Sequence, residues 1–268
     1  MKRYLLPFIA VVLIAGGCNS SGGTENGGDE EQVAQVESIQ VNFNDSGDQQ
    51  AMGMGQKVKP QTEIGSGWNI LYYKLVGTDS PEREKYADTG TAELLSVDAD
   101  GTKLEESAQG AYSSDTFDVN DIKEIEIRLL DGINDDSENK GQNIGKTVVA
   151  YIDEIGWYTP GDEEHTTVID FETDLGEAQC IYNNDDESNQ YSRTVPPPNV
   201  GTSGVSDGNE GERTLKITGE LQPDRYEPYA TEAALTLKIA DFLEVDTLDL
   251  VDKVFYIKVR VPDVSVSE

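Results

Sequence analysis

Few side chains in this chain can do covalent chemistry. The 268-residue sequence holds two cysteines and one histidine. Cys18 follows Lys2-Arg3, an apolar run from Tyr4 to Ile14, and the small residues Ala15-Gly16-Gly17. A charged start, an apolar stretch and small residues before a cut read as a secretory signal, because the signal peptidase pocket admits only small side chains. From Tyr4 to Gly17 is about 14 residues, short of the ~20 that a membrane-spanning helix needs. Cys180 lies in the strand-like run Ala178-Gln179-Cys180-Ile181-Tyr182, where a cysteine behaves as a small buried hydrophobe. Any Ser-His-Asp or Cys-His site would have to use His165. Its setting, Gly161-Asp162-Glu163-Glu164-His165, reads as an exposed acidic linker. A zinc centre built on several His or Cys ligands is excluded. Paired carboxylates of the kind glycoside hydrolysis uses are inevitable among 52 acids and single out nothing. No glycine-rich phosphate loop stands between a strand and a helix.

Aromatic faces and amides are the remaining chemistry. Together they suit sugars, whose apolar ring faces stack on aromatics while their hydroxyls bond amides and carboxylates. The expected carbohydrate-binding set is Trp68, Trp157, Tyr182, Asn183, Tyr191 and Tyr229. Aromatics in strands more often fill a core. Alternation turns Tyr72 and Tyr73 to opposite faces, and likewise Trp157 and Tyr158.

The formal net charge is −32 and the pI about 4.1. Such a chain repels phosphate backbones and has no basic patch to offset that, which excludes nucleic acid as a partner. The carboxylates form a solvated acidic surface and could also supply oxygen ligands for calcium.

Four segments follow from composition. Residues 1–17 are the signal peptide. Residues 18–34 are an acidic Gly/Ser tether with no apolar period, unable to bury enough surface to order itself. Residues 35–160 and 161–268 are then two β-sandwich units. In the first, strands are expected from Val36 to Phe43, Trp68 to Val76, Ala92 to Val97, Asp121 to Leu129 and Thr147 to Tyr158. Asp98-Ala99-Asp100-Gly101 reads as a tight hairpin turn. The Asp121–Leu129 strand alternates Ile125, Ile127 and Leu129 with charged residues, which predicts one wet side. In the second unit, strands are expected at Thr167–Asp174, Arg213–Gly219, Ala230–Lys238 and Val254–Val261, with a short helix within Ala240–Leu250. Many short strands and no long helical period predict an all-β fold of sandwich type.

Two resemblances sharpen these expectations. The run ending Ala15-Gly16-Gly17-Cys18 resembles a bacterial lipobox, which implies that Cys18 becomes the new N-terminus and carries lipid. That would moor the chain to a membrane of the cell envelope, outside the cytoplasm. Thr147-Val148-Val149-Ala150-Tyr151-Ile152-Asp153-Glu154-Ile155 resembles the closing strand of jelly-roll (galactose-binding-like) carbohydrate-binding modules, and Val168-Ile169-Asp170-Phe171-Glu172-Thr173-Asp174 resembles their opening strand. Gly201–Asn209 with Arg213-Thr214-Leu215-Lys216-Ile217 looks like a hairpin of the same modules, and Tyr256–Pro262 is similar to their final strand. The resemblance implies polysaccharide binding without catalysis, and a structural calcium held by Asp153 in the first unit and Glu172 in the second. The second unit has no closing strand of that type before Glu268. Its sandwich is either completed in another way or part of a longer polypeptide. Two other roles fit the same sequence: the N-terminal accessory region of a secreted glycoside hydrolase of mannanase or glucanase type, and a surface structural or adhesion lipoprotein that binds no sugar.

Overall fold

Alternation in Glu124–Leu129 places every second residue in an apolar layer, and the strand it forms lies at the centre of one sheet. The computed structural model of the protein describes residues 32–61, 67–82, 90–104, 112–131, 142–161, 166–172, 201–204, 213–223 and 231–264. The strands of the first half are β1 (Ser38–Asp45), β2 (Gln50–Met52), β3 (Gln56–Lys57), β4 (Asn69–Gly77), β5 (Ala92–Val97), β6 (Tyr112–Ser113), β7 (Ile122–Leu130) and β8 (Thr147–Tyr158). Those of the second half are β9 (Thr166–Ile169), β10 (Gly201–Gly204), β11 (Arg213–Glu220), β12 (Gln222–Pro223), β13 (Thr231–Lys238) and β14 (Val254–Arg260), with a single helical turn, α1 (Ile239–Phe242). The first sheet runs β12-β13-β7-β1-β2-β6, with β3 also on β1. The second runs β10-β11-β8-β14-β4-β5, with β9 also on β8. The all-β sandwich expected from the strand pattern is therefore the fold.

One core lies between the sheets. Ile39, Val41 and Phe43 of β1, Ile125, Ile127 and Leu129 of β7, and Leu235 and Leu237 of β13 supply one side. Val148, Ala150 and Ile152 of β8 and Phe255, Ile257 and Val259 of β14 supply the other. The Phe43 and Phe255 rings meet edge to face at 5.1 Å, a favoured aromatic geometry. Tyr73 of β4 spans the core to donate its hydroxyl to the Ile39 carbonyl at 3.0 Å. That bond satisfies a polar group that is otherwise costly to bury.

The boundary expected at residue 160 does not divide this body. The strand β7 pairs with β1 on one side and β13 on the other. In the second sheet β8 lies between β11 and β14, and β14 continues the sheet to β4. Residues Glu31–Glu268 thus form one unit. Strands after residue 160 pair with β4, β7 and β8 of the first half.

Three smaller expectations are corrected. Ordered pairing starts before residue 35: Thr147 donates its N–H to the Gln32 carbonyl at 2.9 Å, and Ala34 donates to the Thr147 carbonyl at 2.8 Å. The helix expected within Ala240–Leu250 is one turn, because Leu243 is already extended and Leu248 bridges to Ile122. The side of β7 expected to be wet is not: Glu126 is 2% exposed and Arg128 7%.

Candidate functional site

The outer face of the second sheet, turned away from the core, collects aromatic rings and cations. Alternation in Val254-Phe255-Tyr256-Ile257-Lys258-Val259-Arg260 sends Phe255, Ile257 and Val259 inward and leaves Tyr256, Lys258 and Arg260 outward. Register then fixes their neighbours. Tyr256 stands opposite Tyr72 on β4 and Gly156 on β8. Lys258 stands opposite Ile70 and Glu154, and Arg260 opposite Tyr151. A register shift between Lys258 and Val259 inserts Asp153 as an extra residue on the β8 side.

Two zones result. In the first, Tyr72, Tyr158 and Tyr256 form an aromatic floor with ring centroids 6.2–6.5 Å apart, backed by Val76, Leu95, Val97 and Val254. The Tyr256 ring lies directly over Gly156, where a Cβ would stand 2.6 Å from ring atoms. Glycine is needed for that close approach. Gly156→Ala should displace the Tyr256 ring and cost ~1–3 kcal/mol, the usual penalty of overpacking; thermal melts with near-UV circular dichroism check both effects.

The Tyr158 hydroxyl donates to the Ala99 carbonyl. Burial, followed by the charges of Tyr72, Asp100, Asp98 and Tyr256, pushes its phenol up to about 12 from the ordinary 10.0. A folded-state pKa above the unfolded one means the neutral form is favoured by folding. The resulting stability is present below pH ~10 and is lost as the pH climbs from there through ~12. Melting temperatures taken from pH 9 to 12.5 should fall over that window, and Tyr158→Phe should flatten the fall.

In the second zone charged and aromatic groups interlock. The Lys258 ammonium stands 5.9 Å from the centroid of the Trp68 ring and donates to the Asp153 carboxylate at 2.7 Å. The Arg260 guanidinium stands 5.9 Å from the Tyr151 ring. Cation–π contacts of this length contribute ~0.5–1 kcal/mol each at exposed sites. The Trp68 indole N–H is buried and has no hydrogen-bond partner among the described residues. Trp68, Tyr72 and Tyr151 are half-buried and Ile70 is 45% exposed, whereas Asp153 and Arg260 are buried, so what the strip presents to solvent is mainly aromatic and aliphatic.

Of the residues expected from the sequence to bind, Trp68 and Asp153 meet here through Lys258. Trp157 turns inward and packs as a half-buried rim of the inter-sheet core. Tyr182, Asn183, Tyr191 and Tyr229 lie outside the described residues, as does Cys18. Glu172 is half-buried, with its backbone N–H bonded to the Asp170 carboxylate at 3.1 Å. Asp153 does not fit the expected calcium: its Oδ2 is already taken by a lysine ammonium, a cation competing for the same oxygen. Among the described residues no three acids, histidines or cysteines converge as a ligand set. Lys258, Arg260 and Tyr151 were not expected, although the alternation in β14 and β8 was there to find them. Comparisons of the chain with protein-family models, with characterised proteins and with solved structures return no match.

Proposed function

We propose that the protein is a non-catalytic lipoprotein of the bacterial cell envelope that binds polysaccharide on the outer face of its second sheet. The observation that carries this reading is the half-buried Trp68 ring beside the Lys258 ammonium, which a salt bridge to Asp153 holds in place. An indole face offers a platform for the apolar side of a pyranose, and the Lys258 ammonium beside it, held by the buried Asp153 carboxylate, offers a donor for ring hydroxyls. Tyr151 of β8 beside Arg260 repeats the pairing on the other side of β14. The resemblance of Thr147–Ile155 to the closing strand of carbohydrate-binding modules supports the same reading. Acyl chains on Cys18 would hold the protein at the membrane, each buried CH₂ contributing ~0.8 kcal/mol.

Affinity electrophoresis against mannans, glucans and xylans tests the reading. Trp68→Ala should weaken binding about tenfold, in line with the ~0.5–1.5 kcal/mol that an aromatic contact adds beyond its buried area. Trp157→Ala should instead lower the melting temperature and leave the affinity of the folded protein unchanged. If no polysaccharide retards the chain, polysaccharide binding is wrong. Labelled palmitate that enters the wild type but not Cys18→Ser would establish the anchor.

A further inference from the structure

The outer face of the first sheet has a different chemistry. Alternation turns Gln40, Asn42 and Asn44 of β1 away from the core, beside Glu124, Glu126 and Arg128 of β7. Register sets Asn42 between Met52 and Glu126, and Asn44 between Gln50 and Glu124. These side chains bond one another. Gln40 donates to Asn42 Oδ1 at 2.9 Å, and Asn42 donates to Glu126 Oε1 at 3.2 Å. Arg128 Nε donates to the same Oε1. Gln50 donates to Glu126 Oε2 at 3.4 Å and to Asn44 Oδ1 at 3.0 Å, and Asn44 donates to Glu124 Oε2 at 3.3 Å. Asn42 is fully buried and Glu126 nearly so, while Gln40, Asn44, Gln50 and Glu124 form a half-buried rim.

Stability alone does not account for this lattice. A buried ion pair is often no more stabilising than apolar side chains of the same volume. What the buried members do is fix the rim. Each rim side chain keeps hydrogen-bonding capacity toward solvent: the carbonyl oxygens of Gln40 and Gln50, the second Nδ2 proton of Asn44 and the second oxygen of Glu124. Three acceptors and one donor are thus left over four half-exposed groups held in register by two adjacent strands and β2. Arg128 bonds Glu126, and Lys238 of β13 stands opposite Glu124. The outward positions of β1, β2, β7 and β13 carry no aromatic residue, and register places Tyr112 of β6 beside Met52 at the edge of the face.

We infer that the outer face of the first sheet is a second binding site, taking an uncharged, hydroxyl-rich ligand, a neutral glycan, through hydrogen bonds rather than stacking. Gln40, Asn44, Gln50 and Glu124 touch the ligand. Asn42, Glu126 and Arg128 are positioning residues. A site built to bond hydroxyls discriminates against ligands that present them wrongly, because its polar groups are then left unpaired. Selectivity for hydroxyl stereochemistry therefore belongs to this face.

The test uses the full chain in detergent-containing native gels cast with mannan, xylan or β-glucan, against gels cast with alginate or polygalacturonate. Trp68→Ala removes the platform on the other sheet and should leave residual retardation in a neutral gel. Adding Gln50→Ala or Asn44→Ala should then weaken that retardation about tenfold, with the circular dichroism spectrum unchanged and the melting temperature lowered by no more than a few degrees. If Trp68→Ala does not fold, the same two substitutions in the wild type decide, because they should weaken neutral-gel binding there as well. The inference is overturned if retardation is indifferent to both substitutions, if only the acidic gels retard the protein, or if no neutral gel does. Binding that depends on Gln50 but not on Trp68 would overturn the function proposed for the second sheet and leave this site standing.

Discussion

Glu126→Ala should destabilise the fold by ~3–5 kcal/mol, the range for breaking a buried ion pair by removing one partner. At roughly 2–4 °C per kcal/mol for a domain of this size, the melting temperature should fall by about 10 °C. The cause is local and specific. The Glu126 carboxylate accepts hydrogen bonds from Asn42, Gln50 and Arg128 at a position 2% exposed. Alanine takes the acceptor from three donors at once, and a buried unsatisfied donor costs ~1–3 kcal/mol. Pairing Glu126→Met with Arg128→Leu should recover part of the loss, since both charges then leave the protein interior together while the buried Asn42 amide still lacks its acceptor. A fall of under ~1 kcal/mol for Glu126→Ala, the worth of an exposed pair, would show the lattice to be wet. The double variant also separates structure from recognition. It should melt above Glu126→Ala and yet bind neutral glycan no better, because Asn42 and Gln50 still lack the carboxylate that orients them.

The strands were legible because alternation is a local property. The expected ends of Ala92–Val97 and Thr147–Tyr158 are those of β5 and β8. The turn at Asp98–Gly101 was legible for the same reason: Asp98 Oδ1 accepts the N–H groups of Asp100 and Thr102, and Gly101 takes a φ of +77°. Tyr72 and Tyr73 split between an outer cluster and the core, as opposite parity requires. Strand partners were not legible, because nothing within β7 says that Glu126 will face Thr236 of β13 on one side and Asn42 of β1 on the other. That pairing is also what buries Glu126, so a charged alternation read as a wet face became a polar interior. The two- and three-residue strands β2, β3 and β6 are too short to carry a period. Trp157 was legible as an aromatic in a strand but not as a core residue, since its parity is reckoned across the irregular register near Asp153.

Phe255→Ala should cost ~3–5 kcal/mol, as large aromatic truncations in cores do, and should do so within a single melting transition. Phe255 is 1% exposed and sits where the sheets meet, with its ring centroid 5.1 Å from that of Phe43 and 6.5 Å from that of Tyr73. Phe43 belongs to the first sheet and Tyr73 to the second, and both precede residue 160, whereas Phe255 follows it. The cavity therefore opens in a core built jointly by the two halves of the chain. If the halves were independent modules, the substitution would shift the melting of 161–268 and leave a second transition, from 35–160, in place. In a shared core there is no such second transition, because β14 lies between β8 and β4 and neither can keep its pairing when β14 is lost. Calorimetry decides between these outcomes: one endotherm whose midpoint falls, or two of which only one moves. The first outcome would also explain why both outer faces can be preorganised at once. The strands that display Lys258 and Glu126 outward bury Phe255 and Ile127 in the same core, so loosening either sheet should loosen both faces.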